Sequence, residues 1–165
     1  MKYCVECGTK LETRFLKDEG DIPFCPQCNQ FRFPIFNCAV SMEVLNPDKN
    51  KVVLIKQYGR DFNVLVAGYI NKGESAEDAV KREVKEELGL EVSEIKFNKT
   101  EYFEPSNTLM VNFSCVAQSE DLSGINHEVD EAAWFSFDDA VKEVKQNSLA
   151  QKFLVNFVSH YSQKA

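Results

Sequence analysis

Three carboxylates crowd the last third of the stretch GYINKGESAEDAVKREVKEELGL, residues 68–90, in which Arg82 is followed at once by Glu83 and then by Glu86 and Glu87. Placed at about 100° per residue, Ala76, Ala79, Val80, Val84 and Leu88 form one apolar stripe, while Asp78, Lys81 and Lys85 point to water. Glu83 and Glu87 fall on the apolar side and Glu86 lies one turn from Glu83. Like charges four apart cost a helix roughly 0.2–0.5 kcal/mol, and more where water is excluded. Arg82 can pair with Glu86, but no cation of the helix itself sits over Glu83 and Glu87, so the pattern predicts an external one. Mg²⁺ or Mn²⁺ suits: these hard ions take carboxylates and bridge to phosphate oxygens. The competing reading is a solvated acidic helix, the usual fate of a charge run.

The element that must carry these acids is a short capped helix. Ser75 followed by Asp78 reads as its start, Gly89 as its left-handed stop, and no Pro or Gly intervenes. The spacing Gly68-x5-Glu74-x7-Arg82-Glu83-Val84-x-Glu86-Glu87-x-Gly89-Leu90 matches throughout the Nudix box of the Nudix hydrolases, which the chain therefore resembles. The resemblance implies that Glu83, Glu86 and Glu87 hold metal, that Arg82 orients the glutamates, and that Glu74 supports the loop–helix junction. It also implies that Ala67 offers its backbone carbonyl to metal and that a downstream glutamate completes the site. Glu128 is the candidate for that last role; the alternative is a surface acid beside Asp130 and Glu131.

A second set of ligands stands near the start. Cys4-x2-Cys7 and Cys25-x2-Cys28, 17 residues apart, fit a tetrahedral zinc ribbon. Iron suits the same four thiolates. A segment of about thirty residues buries too little to fold unaided, so a metal staple makes physical sense. Cys38 and Cys115 lie in apolar runs and read as core residues.

The 165 residues suffice for one ordinary domain and a small appendage. We expect a zinc ribbon over 1–33 and the catalytic domain over 34–165. Strands are expected at 38–45, 51–57, 62–67, 92–103, 108–117 and 132–137, and helical spacing continues at 138–144 and 149–161. The fold expected from the resemblance is an α/β/α sandwich with a mixed sheet. No apolar run reaches the roughly 18 residues of a membrane span and no signal-peptide pattern opens the chain, which suggests a cytoplasmic protein. A net charge of −7 disfavours general nucleic-acid binding but leaves room for a capped RNA end.

A zinc ribbon ahead of such a domain is similar to the NADH pyrophosphatase (NAD⁺ diphosphatase) branch of the family. Leu65-Val66-Ala67-Gly68-Tyr69 resembles that branch's L-A-G-F, and Glu128-Val129-Asp130-Glu131-Ala132-Ala133-Trp134-Phe135 its E-x-x-E-A-x-W-[FY]. Phe33-Pro34 sits where the branch has an aromatic-Pro pair near substrate, and Ala150 matches a substrate-contacting position. The branch's proline-rich S-Q-P-W-P-F-P-x-S-L-M is replaced by residues 100–110, TEYFEPSNTLM. There Tyr102, Phe103 and Asn107 are substrate candidates; the two rings could stack on a base or close the core. The resemblance implies Mg²⁺- or Mn²⁺-dependent cleavage of a nucleoside diphosphate linked to a second group, such as NAD(H) to nicotinamide mononucleotide and AMP, by a homodimer. ADP-ribose or a nucleotide sugar is the alternative substrate. A non-catalytic nucleotide-sensing or RNA-binding module is the alternative class. Glu83 or Glu86 could serve as general base.

Overall fold

The computed structural model describes residues 1–161 and divides into two compact units, Met1–Phe36 and Asn37–Ala165. The first is a three-stranded antiparallel sheet of β1 (Glu12–Leu16), β2 (Gly20–Cys25) and β3 (Gln30–Phe31) in that order. Its apolar interior is small: Phe24 packs edge-on against Phe31 at 5.0 Å, and the Arg14 guanidinium lies over the Phe24 ring, 3.7 Å from its centroid. Few large side chains besides Phe24 are buried here, so the four cysteines replace a core.

The second unit is a mixed sheet between helices. Its strands are β4 (Asn37–Leu45), β5 (Lys51–Gln57), β6 (Val66–Tyr69), β7 (Val92–Phe103), β8 (Thr108–Ala117) and β9 (Val129–Ser136). They run in the order β7-β8-β4-β5-β9. β4 and β8 pair in parallel from Asn37↔Thr108 to Leu45↔Val116, and the other pairs are antiparallel. The second edge of β4 is shared. Its last residue, Leu45, pairs with Val52 of β5, whereas Ala39–Met42 pair with β6. β6 thus sits in the fork where β5 leaves β4.

Period-two alternation assigns each face. Val40, Met42 and Val44 of β4 pack with the helix α1 (Ala76–Leu88) through Ala79, Val80, Val84 and Leu88. Each fully buried Val or Leu contributes roughly 1.5–3 kcal/mol. Leu45 instead packs with α2 (Phe137–Glu143) and α3 (Leu149–Tyr161), which bury Ala140, Phe153, Leu154 and Phe157. Glu43, also fully buried, accepts from Asn112 Nδ2 at 3.2 Å and from Asn98 Nδ2 at 3.0 Å. Helices therefore cover both faces, as the sandwich requires.

Two strand expectations shift. The strand expected at 62–67 forms at Val66–Tyr69, because only there does an edge of β4 lie free; the preceding residues make single bridges, Val64 to Ile55 and Asn63 to Val144. The strand expected at 132–137 begins at Val129, which pairs with Gln57 past a register shift after Lys56. Among the described residues no helix is long and apolar enough to cross a membrane.

Candidate metal and phosphate site

The acids come together where α1 crosses the fork. Ser75 caps the helix by accepting from the Asp78 N–H at 3.1 Å, and Gly89 ends it at φ 73°. Helical spacing then aims Glu83 and Glu87 at the sheet. Glu83 lies on Gly68 of β6: a Cβ added there would stand 1.9 Å from the Glu83 carboxyl carbon. The box glycine is thus a steric requirement, an open space on the strand into which the carboxylate settles.

Arg82 ties the cluster. Its Nε and Nη2 donate to the two oxygens of Glu74 at 2.7 and 2.9 Å, Nη1 to Glu83 at 2.7 Å and Glu86 at 3.1 Å, and Nη2 also to the Tyr69 carbonyl at 2.9 Å. The guanidinium holds the Glu74 carboxyl down at about 2, aided by the Asn71 N–H. Glu74 locks the loop to the helix by this bidentate pair. Contrary to the expectation that no helix cation reaches Glu83, Arg82 does so from the adjacent position. The guanidinium turns back along the helix and serves Glu74, Glu83 and Glu86 together.

Glu87 has no such partner. It is 3 % exposed, and among the described residues its carboxylate accepts only from Gln57 Nε2, to Oε1 at a long 3.4 Å. Oε2 is buried and accepts no hydrogen bond among the described residues. Burial pushes its carboxyl up to about 8, with the charges of Glu83 and Glu128 adding to the rise. Burial also raises Glu83, against the pull of Arg82. An ionised carboxylate in this setting needs a cation, and an all-oxygen donor set fits a hard divalent ion.

Glu128 stands on the turn just before β9, near enough for its charge to act on both Glu83 and Glu87. The Tyr58 hydroxyl donates to Glu128 Oε2 at 2.9 Å. Ala67 sits on β6 opposite Ser41, one residue before Gly68. No three of the acids bring oxygens within 4.8 Å of one another among the described residues.

The remaining candidates lie elsewhere. Tyr102 and Phe103 close β7 and are 55 % and 37 % exposed, so neither fills the core; the Tyr102 hydroxyl donates to Asn107 Oδ1 at 2.6 Å across the turn. Ala150 packs with the α2–α3 cluster, on the opposite face of the sheet from α1. Phe33 belongs to the first unit and is half exposed. Trp134 is partly buried against the α1 cluster and donates to the Glu120 carbonyl. Gln57 and Tyr58 escaped the sequence reading. The one local signal was a Tyr-Gly pair closing an apolar strand, and nothing in it names the acids it meets.

In the first unit the four cysteine sulfurs lie within 4.8 Å of one another. Cys4 and Cys28 are 3.9 Å apart and Cys7 and Cys25 3.5 Å, close to the edges of about 3.8 Å that a tetrahedron of 2.3 Å zinc–sulfur bonds has and far from a disulfide. Arg32 Nε reaches Cys4 Sγ at 3.3 Å and the Cys28 N–H reaches Cys25 Sγ at 3.4 Å, donors that suit thiolates. Cys38 is half-buried and Cys115 fully buried in the second unit, where burial pushes the Cys115 thiol up.

Known proteins are similar to the chain in sequence and in fold. The NAD-capped RNA hydrolase NudC of Pseudomonas aeruginosa is 26% identical over 161 residues, 98% of this chain and 57% of the relative. The human NAD-capped RNA hydrolase NUDT12 is 30% identical over 161 residues, 93% of this chain and 35% of the relative. The chain thus spans between about a third and three fifths of the length of these curated relatives. A NUDIX hydrolase crystal structure from Nitrosomonas europaea superposes with a TM-score of 0.69 at 20% identity, covering 99% of this chain and 92% of that one. One from Clostridium perfringens gives 0.63 at 18%, covering 80% and 100%. The family model described as NUDIX domain matches residues 37–157, the whole span from the first strand of the mixed sheet to the middle of its last helix, and on that match the chain belongs to the NUDIX family.

Proposed function

We propose that the chain is a divalent-cation-dependent pyrophosphohydrolase that opens the diphosphate of a nucleoside diphosphate linked to a second group, with NAD(H) as the favoured substrate. The observation that carries this reading is the buried, unpartnered Oε2 of Glu87 beside Glu83 and Glu128. Nothing in a purely structural role explains an acid placed so. A binding module that merely retained the fold has no use for it. The two relatives, both NAD-capped RNA hydrolases by name, support an NAD moiety as the group recognised.

Mg²⁺ or Mn²⁺, when bound there, neutralises the diphosphate and acidifies a water. Glu87 and Glu128, together with the Ala67 carbonyl, are the ligands we assign, and Glu83 and Glu86 complete the set. Arg82 keeps Glu83 and Glu86 in register. Glu83 or Glu86 accepts the proton of the water as its oxygen bonds to phosphorus, and the bridging P–O bond breaks with its electron pair leaving on the departing phosphate. Burial of Glu87 at the sheet–helix junction strengthens the contacts that its carboxylate makes. In the first unit, Cys4, Cys7, Cys25 and Cys28 are assigned to a structural Zn²⁺ on the sulfur spacings. The exposed Tyr102 and Phe103, with Asn107 and Ala150, remain the candidates for the nucleoside and its partner group.

A panel of NADH, NAD⁺, ADP-ribose, FAD, UDP-glucose and NAD-capped RNA, incubated with Mg²⁺ or Mn²⁺ and resolved by product, tests the reading. Release of AMP and reduced nicotinamide mononucleotide from NADH is expected, and Glu87→Gln is the inactive control. Turnover of ADP-ribose or UDP-glucose alone would move the substrate to the neighbouring class. Cleavage of none would reject the enzyme.

A further inference from the structure

Three consecutive residues at the end of β5 reach three separate acids. Gln57 Nε2 donates to Glu87 Oε1 at 3.4 Å, the Tyr58 hydroxyl to Glu128 Oε2 at 2.9 Å, and the Gly59 N–H to Asp130 Oδ2 at 2.7 Å. The backbone is bent to do so. Tyr58 holds φ 57° and Gly59 φ 67°; for a bulky residue such as Tyr the left-handed region is an outlier that surrounding structure must maintain. The facing strand is bent as well. Lys56 pairs with Glu131 and Gln57 with Val129, so Asp130 is the extra residue of a bulge that turns it toward the Gly59 N–H. The Tyr58 ring is largely exposed and so is not held in this conformation by burial.

We propose that Gln57–Tyr58–Gly59 is a carboxylate clip and that Tyr58 is a positioning residue for Glu128. The proposal rests on the reading of Glu87 and Glu128 as ligands of a divalent cation. The clip takes one oxygen from each. Gln57 occupies Oε1 of Glu87 and leaves the buried Oε2; Tyr58 occupies Oε2 of Glu128 and leaves Oε1 without a hydrogen bond among the described residues. Glu128 otherwise sits on a turn before β9, held by its own N–H to Asn126 Oδ1 at 2.9 Å, which fixes the backbone but not the carboxylate. Gly59, through Asp130, pins the far side of that turn. The clip thus supplies to the downstream acid the orientation that Arg82 supplies to Glu83 and Glu86. Partners of this kind, bonded to the ligand and not to the metal, typically change metal affinity 10–100-fold when removed.

The test is Mn²⁺ titration of the full zinc-loaded chain, with free Mn²⁺ read by electron paramagnetic resonance. Tyr58→Phe, which keeps the ring and its packing, is expected to bind Mn²⁺ about tenfold more weakly at an unchanged melting temperature. Glu128→Gln is expected to lose at least as much, and the double variant no more than Glu128→Gln alone, because Tyr58 acts through that carboxylate. Mn²⁺ binding by Tyr58→Phe as tight as in the parent, or tighter, overturns the clip, as does a double variant that loses the sum of both effects. Glu87→Gln in the same series separates the two ideas. Parent-like Mn²⁺ binding by that variant overturns the metal site and the clip with it, whereas loss in Glu87→Gln with none in Tyr58→Phe overturns the clip alone.

Discussion

Glu87 and Glu43 are two glutamates sealed in the second unit, and their surroundings give them different uses. Both are lifted to about 8 by burial, but both oxygens of Glu43 accept from amides while Glu87 keeps one bare. For a carboxyl whose folded value lies above its ordinary one, the native chain holds a proton that the unfolded chain releases, so stability falls as pH rises between the two values. In the cation-free chain we expect the melting temperature to decline from about pH 5 toward pH 8 and then to level, and either Glu87→Gln or Glu43→Gln to flatten that decline in a calorimetric series. The two variants should part on adding Mg²⁺. Because the ligand must be deprotonated, Mg²⁺ should raise the parent's melting temperature more at pH 8.5 than at pH 6; Glu43→Gln should keep this response and Glu87→Gln lose it. Glu87→Gln should also cost roughly 10²–10³-fold or more in kcat without loss of fold.

At the scale of elements, the site is a helix laid across a fork, and two glycines set how closely it lies. Gly68→Ala would drive its methyl into the Glu83 carboxylate, the far end of a flexible side chain. The fold should survive with a small change in melting temperature, while kcat falls about a hundredfold as Glu83 is displaced. Gly89→Ala is the opposite case. At φ 73° the added Cβ is strained and meets the backbone of Gly124 at 2.9 Å, so thermal unfolding should register a loss of at least ~1–2 kcal/mol with the acids left in place. The helix was legible in the sequence because its signals are local: the Ser75 cap, the Gly89 stop and the apolar period all lie within one stretch. The strand at 108–117 was legible for the same reason. β6 and the start of β9 were not, since their limits depend on which edge of β4 is free and where a bulge falls. Neither of these is written in a propensity. Gln57 and Tyr58 were missed likewise, since they meet acids 30 and 70 residues away in sequence.

At the scale of the molecule, the two units rest on different supports. Phe24 is among the few large side chains buried in the first, and the second has a core on each side of its sheet. A strong chelator should therefore leave the second unit's melting transition in place and render residues 1–36 sensitive to protease, as followed by mass spectrometry of the fragments; a first unit that stays protected would show that its sulfurs need no metal. The central pairing of the large sheet has one more consequence. β4 finds its parallel partner β8 only about 70 residues later, and at the usual pace of translation that delay is on the order of ten seconds. During that interval a strand that the finished fold buries from Ala39 to Leu45 lacks a neighbour along one flank. Its late-closing ladder makes the sheet a slow step of maturation, and marks β4 as the segment a ribosome-associated chaperone would have to shield.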